Sequence, residues 1–269
     1  MNVVCIGAHP DDAEFHAGGS AVKWAQLGHR VVFVSLTNGD IGHHAMGGGV
    51  LAQRRRAEAL RSARIGGVED VVLDHHDGEL DPSLELRREV VRLIRRYEAD
   101  LVLTHRPFDY HPDHRYTGIV VQDAAFMVTV PQFCPDVPAL RENPIFLYVF
   151  DPFQKPVPFS PDIAVDVTDV MDVKYAMFDA MTSQAYEWLP WLAGTLDTVP
   201  EDEAGRRRWL EQAWAPRFLG ATDACRAGLE RWYGAAASEI RYAEAFEICE
   251  YGRRPSEEEI RELFPFLPR

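Results

Sequence analysis

Residues 3–7 (V-V-C-I-G) are too short for a helix and rich in β-branched side chains, as a strand buried on both faces requires. They run directly into Ala8-His9-Pro10-Asp11-Asp12-Ala13-Glu14. The pattern then recurs. A helical stretch over residues 18–26, closed by Gly28, precedes a second apolar run at 30–36 and the polar segment Thr37-Asn38-Gly39-Asp40. Residues 3–36 therefore form a βαβ unit with the right-handed crossover of parallel strands. A helix over 51–64 ended by Gly66-Gly67 and a strand at 71–74 follow, leading into His75-His76-Asp77-Gly78. A helix with Asp81-Pro82 as N-cap and N1 then leads to a fourth strand at 101–104. Just beyond lies His111-Pro112-Asp113-His114, with Pro112 suited to N1 of a helix through Met127. The fold class is α/β: a Rossmann-like, mostly parallel sheet flanked by helices, with an elaborated C-terminal helical region. Its active site is expected at the carboxyl ends of the strands.

The second half has another character, since all ten histidines fall between His9 and His114. Pro131, Pro135, Pro138 and Pro144 break the chain into a long loop suited to shaping substrate access. Strands are expected at 145–150 and 163–167, and a helix over 168–186 with Thr168 as its cap. Helices bearing Trp188, Trp191, Trp209, Trp214 and Trp232 follow, then a strand over 242–249, with a helix its near rival. With no repeat and no long linker, residues 1–269 read as a single domain, a motif-bearing core over 1–185 and an elaboration over 186–269. A net charge of -14 opposes nucleic-acid binding. The Arg54-Arg55-Arg56 run is followed by Glu58 and fits a solvated helix face. No stretch reaches transmembrane length, so no membrane insertion is expected. Four cysteines without C-x-x-C spacing suit a reducing, cytoplasmic setting. A homo-oligomer is compatible with the sequence.

The chemistry follows from spacing. His9 and Asp12, three residues apart after strand one, can bind one ion, and His114 can reach them from strand four. Two histidines and one carboxylate leave an open position, as in a catalytic site holding one Zn²⁺ per chain. Asp11 is then free to act as general base. His111, as imidazolium, could stabilise an oxyanion and protonate a leaving amine, with Asp113 the carboxylate that would raise its pKa if His111 sits at the helix cap. Amide hydrolysis suits this set. Taken alone, Asp11-Asp12 would be ordinary N-capping. Gly18-Gly19 lacks the G-x-G-x-x-G of a dinucleotide site. His16, His29, His43, His44, His75, His76 and His105 read as structural or supporting residues. Two motifs at adjacent strand ends nevertheless favour a metal hydrolase.

The pair A-H-P-D-D at 8–12 and H-P-D-H at 111–114 resembles the PIG-L/LmbE-like zinc-dependent N-deacetylases, among them the deacetylases of mycothiol, bacillithiol and glycosylphosphatidylinositol synthesis. The likeness covers about residues 1–185. It implies zinc held by His9, Asp12 and His114, Asp11 as base, and His111 at the oxyanion. It also implies an R-x-x-E helix at Arg55–Glu58 whose arginine reaches substrate, and an Asp-Gly at Asp77-Gly78 that contributes to substrate binding. Many members place Glu directly after the paired aspartates; here Ala13 intervenes before Glu14, whose role stays open. The implied reaction removes an acyl group, foremost acetyl, from a small N-acyl amino sugar or glycoside. A thiol-conjugate amidase of the same family is the runner-up. A metallophosphoesterase would need a second metal, and a non-catalytic metal-binding protein would need neither Asp11 nor His111. The sugar and the roles of His43, His44 and the tryptophan-rich region are left unassigned.

Overall fold

The chain is described here by a computed structural model covering residues 1–268. Seven strands form one sheet: β1 (Asn2–Gly7), β2 (Arg30–Thr37), β3 (Glu69–His75), β4 (Leu101–Thr104), β5 (Ile145–Val149), β6 (Ile163–Asp166) and β7 (Ala243–Ile248). Their order is β3-β2-β1-β4-β5-β7-β6. The first five are parallel, whereas β7 runs antiparallel between β5 and β6. The strand-period alternation sorts the core into two layers. Val3, Cys5, Val31, Phe33, Leu101 and Leu103 face α1 (Asp12–Gln26), and the opposite-parity Val4, Ile6, Val32, Val34 and Val102 face the other way. On that second face lie α3 (Leu84–Arg96) and α4 (Pro112–Met127). Beside α1 on the first face are α5 (Met171–Asp179) and α7 (Glu203–Ala224), while α2 (Gly48–Gly66) packs on α5 and β3. The short α6 (Leu189–Leu192), α8 (Arg226–Tyr233) and α9 (Glu257–Leu263) complete the helices.

Three features depart from the sequence expectation. First, α1 begins at Asp12 rather than near residue 18, so the first motif enters the helix's opening turn. Gly18 and Gly19 lie mid-helix for close packing, since a Cβ on Gly19 would stand 2.7 Å from Val167. Second, the cap of α3 is Ser83, whose Oγ accepts from the Leu86 amide at 3.3 Å; Asp81 and Pro82 lie outside the helix. Third, the stretch 168–186 is not one helix. It is a 3₁₀ turn (Thr168–Val170), then α5, then a π turn (Ser183–Trp188). The cause is tertiary, because buried Glu58 of α2 accepts from both the amide and the hydroxyl of Ser183, and Gln184 donates to the Gly42 carbonyl at 3.0 Å. Residues 243–248 are a strand, as expected over 242–249, and not the rival helix.

That last strand is tied to the first helix. Glu244 of β7 accepts from the amides of Gly19 and Ser20, each at 2.7 Å. Lys174 of α5 donates to Glu244 at 2.6 Å and to the Phe15 carbonyl at 2.8 Å. Both side chains are almost wholly buried.

Behind the motif, Glu14 Oε1 and Asp70 Oδ1 are buried and lack hydrogen-bond partners. Burial, then the neighbouring Asp70 charge, pushes the Glu14 carboxyl well above its usual range, and burial raises Asp70 to about 7. Because the folded-state pKa of Asp70 exceeds its unfolded value of about 3.9, its ionisation works against folding. The penalty is absent below about pH 4 and complete above about pH 7. Asp70→Asn is therefore expected to raise the melting temperature at pH 8 and leave it nearly unchanged at pH 4. Equal shifts at both values in thermal melts would show that the Asp70 charge is not the cause.

Candidate active site

The strand order reverses direction between β1 and β4, and the crevice at their carboxyl ends is where an open α/β sheet binds ligands. His9 and Asp12 follow β1, Asp77 follows β3, and α4 after β4 carries His114 with His111 as its N-cap. These residues line a cavity of about 310 Å³. His9 Nδ1 stands 3.2 Å from His114 Nε2. Asp12 Oδ2 is 3.5 Å from the former and Oδ1 is 3.3 Å from the latter. Donors bound at zinc-ligand distances on a tetrahedron stand about 3.4 Å apart, close to the His9–His114 separation and to that between His114 and Asp12 Oδ1. Asp12 Oδ2 is already committed to the amides of Ala8 and His9, at 2.8 and 2.7 Å, which leaves Oδ1 to face the cation.

Charge supports the same reading. Burial opposes protonation of His9, yet Asp113, Asp12 and Asp77 together hold its pKa well above the ordinary value. His114 is likewise pulled up to about 9 against its burial by Asp12 and Asp109. Two protonated rings cannot face each other at this separation, whereas one metal cation between them answers all of these carboxylates. Asp12 itself stays well below the usual carboxylate range despite burial, because His114 and His105 adjoin it.

Other donors stand close enough to complete overlapping trios, His9 with His111 and His114, Asp12 with His105 and His114, and His9 with Asp77 and Asp113. Several of these donors also hydrogen-bond to one another. His105 Nε2 lies 3.1 Å from Asp12 Oδ2, and its ring stacks on His114 at 4.2 Å. Beneath it, burial lowers the His16 pKa to about 3, so that ring is neutral. Asp77 Oδ1 meets His9 Nε2 at 3.0 Å, the kind of carboxylate contact that orients a histidine ring.

Asp113 corrects an expectation. Its carboxylate accepts from the amides of Gly78 and Leu80, at 2.6 and 3.2 Å, and lies 3.5 Å from His9 Nε2, not against the His111 ring. The pKa of His111 is accordingly lowered, by burial and then by His9 and His114, not raised as an imidazolium role needs. His111 does occupy the cap, where its Nδ1 accepts from the Asp113 amide at 3.2 Å. In the neutral ring the proton is then on Nε2, which makes His111 a neutral donor.

Arg55 and Asp77 line the cavity and also contact one another and other protein groups, while the buried Arg55 Nε has no hydrogen-bond partner. The buried Arg55 guanidinium reaches the Gly39 carbonyl at 3.2 Å, Asp11 at 3.2 Å and Asp77 at 3.7 Å. Gly39 is required here, with φ +69 and no room for a Cβ, which would fall 2.3 Å from Arg55 Nη1. Burial raises the Asp11 pKa, offset in part by Arg55, which moves a carboxylate toward the range of a working base. Of the remaining histidines, His43 joins Glu187 at 2.8 Å, and His44 stacks between His43 and Trp191 at the cavity rim. His75 and His76 pair with Glu89 and Asp40.

Sequence reasoning missed Asp109 and the C-terminal wall, whereas His105, read from the sequence as a structural or supporting residue, lies against Asp12. Adjacency offered a signal for Asp109, which stands two residues before His111. None existed for the wall, where Trp188, Leu192, Trp214 and Arg217 close the cavity from far along the chain.

A doubly wound sheet that gathers histidines and carboxylates able to hold a metal at its switch point has the make-up of a metal-dependent hydrolase. More particularly, the chain belongs to the PIG-L family: residues 4–125 match that family, described as GlcNAc-PI de-N-acetylase. It is 35% identical over 203 residues to the diacetylchitobiose deacetylase of Thermococcus kodakarensis, spanning 71% of this chain and 74% of that protein. It is also 26% identical over 196 residues to the 4-oxalmesaconate hydratase of Pseudomonas putida, spanning 70% of this chain and 75% of the other. Among solved structures, N,N'-diacetylchitobiose deacetylase from Pyrococcus horikoshii aligns with a TM-score of 0.70 at 26% identity, covering 96% of this chain and 88% of that one.

Proposed function

We propose that this protein is a zinc-dependent N-deacetylase, working as one domain in a reducing compartment, that releases acetate from a small N-acetylated amino sugar or its conjugate. The carrying observation is the carboxylate of Asp11, fixed by buried Arg55 beside the His9, Asp12 and His114 donor trio. Zinc held by that trio would supply Lewis acidity to the substrate carbonyl and to the attacking water. Asp11 takes the proton of that water and passes it to the departing amine. The Nε2–H of neutral His111 donates to the oxygen that gains charge as the carbonyl is attacked. Asp77 and Asp113 keep the His9 ring in its tautomer, and His105 helps to orient the Asp12 carboxylate. Four free, buried cysteines support the reducing compartment.

The protein is expected to carry about one divalent ion per chain, and His9→Ala, Asp12→Ala and His114→Ala each to lose it by elemental analysis. Two tightly held ions would favour a phosphoesterase, and full occupancy in all three variants would remove this ligand set.

The Pseudomonas relative carries a second reading, addition of water to an unsaturated acid by the same base. Zinc-loaded protein offered a panel of N-acetyl amino sugars and glycosides should release free amine. Hydration of an unsaturated dicarboxylic acid with no amine from any sugar would replace the first reading by the second.

A further inference from the structure

One charged side chain on the cavity wall has no direct ion-pair partner among the described residues. The cavity's carboxylates are all engaged: Asp11 by Arg55, Asp12 and Asp77 by the histidines, Asp109 near His114, and Asp151 by the two-point contact of Arg106 at 2.6 and 2.7 Å. Of the two arginines on its wall, Arg55 is committed to Asp11 and Asp77. Arg217 is different. It makes no ion pair and no hydrogen bond among the described residues, and remains accessible from the cavity.

Arg217 is nonetheless held in place. Its guanidinium lies 4.4 Å from the ring centre of Phe15, which directly follows the first motif, and 5.6 Å from that of Trp214, one turn earlier on α7. Phe15 in turn packs on Trp214 and Phe218, so the aromatic support is itself anchored in the core. Stacking of this kind uses the faces of the guanidinium and leaves its in-plane N–H donors for a planar or tetrahedral oxyanion. Partial burial lowers its pKa against the opposite pull of Tyr110 and Asp11, and the side chain keeps a solvent-exposed part where an anion could arrive. In a chain of net charge -14, such a site also decides which ligands enter, because an anion is repelled everywhere except at an unneutralised cation.

We propose that Arg217 anchors an anionic substituent, a carboxylate or a phosphate, borne by the amino sugar or its aglycone, and so sets the protein's preference for acidic over neutral substrates. This rests on the deacetylase reading and refines it. The test compares the kcat/KM of zinc-loaded protein on N-acetylglucosamine with that on N-acetylglucosamine 6-phosphate and on a carboxylate-bearing N-acetylglucosamine ether. The two acidic probes separate phosphate from carboxylate as the group taken. Wild type should favour at least one acidic probe by about 10-fold or more, chiefly through KM, and added salt should erode the preference. Arg217→Met should bring the ratio close to one, and Arg217→Lys should keep part of it.

Equal preference in wild type and Arg217→Met would overturn the proposal. So would an equal loss on acidic and neutral probes, which would make Arg217 a packing residue on Phe15. Should no probe release amine, the deacetylase reading fails by itself. Calorimetric titration with the same phosphate ester then decides this point, and binding equally weak in wild type and Arg217→Met overturns it.

Discussion

Asp11→Asn is expected to keep its metal and lose about 10²-fold or more in kcat, the usual size of a general-base contribution. The substitution preserves shape and one hydrogen-bonding oxygen, so Arg55 keeps a partner at Asp11 as well as at the Gly39 carbonyl. What disappears is the ability to take a proton. Asp12 cannot substitute, because one of its oxygens is occupied by backbone amides and the other faces His114. Turnover measured together with metal content and a thermal melt separates the outcomes. Near wild-type turnover in metal-replete, fully folded Asp11→Asn protein would assign the base elsewhere. Loss of metal would instead show that Asp11 is itself a ligand.

The second large effect is on stability. Lys174→Met removes the cation from a buried pair and leaves the Glu244 carboxylate with only the Gly19 and Ser20 amides. Breaking such a pair costs about 3–5 kcal/mol, since the remaining charge keeps its desolvation penalty. For a chain of this size the melting temperature should fall by about 10 °C. Lys174→Met with Glu244→Gln should recover part of the loss, because the charge is then gone while an amide oxygen still accepts from α1. A double variant no more stable than the single one would place the effect in lost packing of the lysine stem.

Local signals read well here and non-local ones did not. The first four strands and the two motifs at their ends were legible because a short β-branched run followed by polar residues is a local pattern. The position of His111 at the cap was legible for the same reason, through Pro112. Asp113 misled because sequence adjacency is not spatial adjacency: it begins a helical turn that aims its carboxylate at the amides of Gly78 and Leu80. The break after α5 depends on Glu58, which lies 125 residues before Ser183 and could not be paired with it by pattern. Arg55 does line the cavity, but nothing in R-x-x-E shows that the Gly39 and Gly42 backbone would fold around its guanidinium. The cavity's aromatic wall was invisible until α7 had a place.

The position of β7 bears on how the chain is made. During vectorial synthesis the parallel strands β1 to β5 can assemble in order, but β6 has no hydrogen-bonded neighbour until residues 243–248 emerge and insert between it and β5. Glu244 on that late strand then closes on Gly19 and Ser20, in the same helix whose first turn holds Asp12. The nascent polypeptide thus carries its complete histidine set long before α1 is clamped, and a chain stalled short of β7 exposes two open sheet edges beside a half-built pocket. Ribosome-tethered fragments ending before and after this strand should differ abruptly in resistance to protease, with the jump at β7 and not at the last histidine.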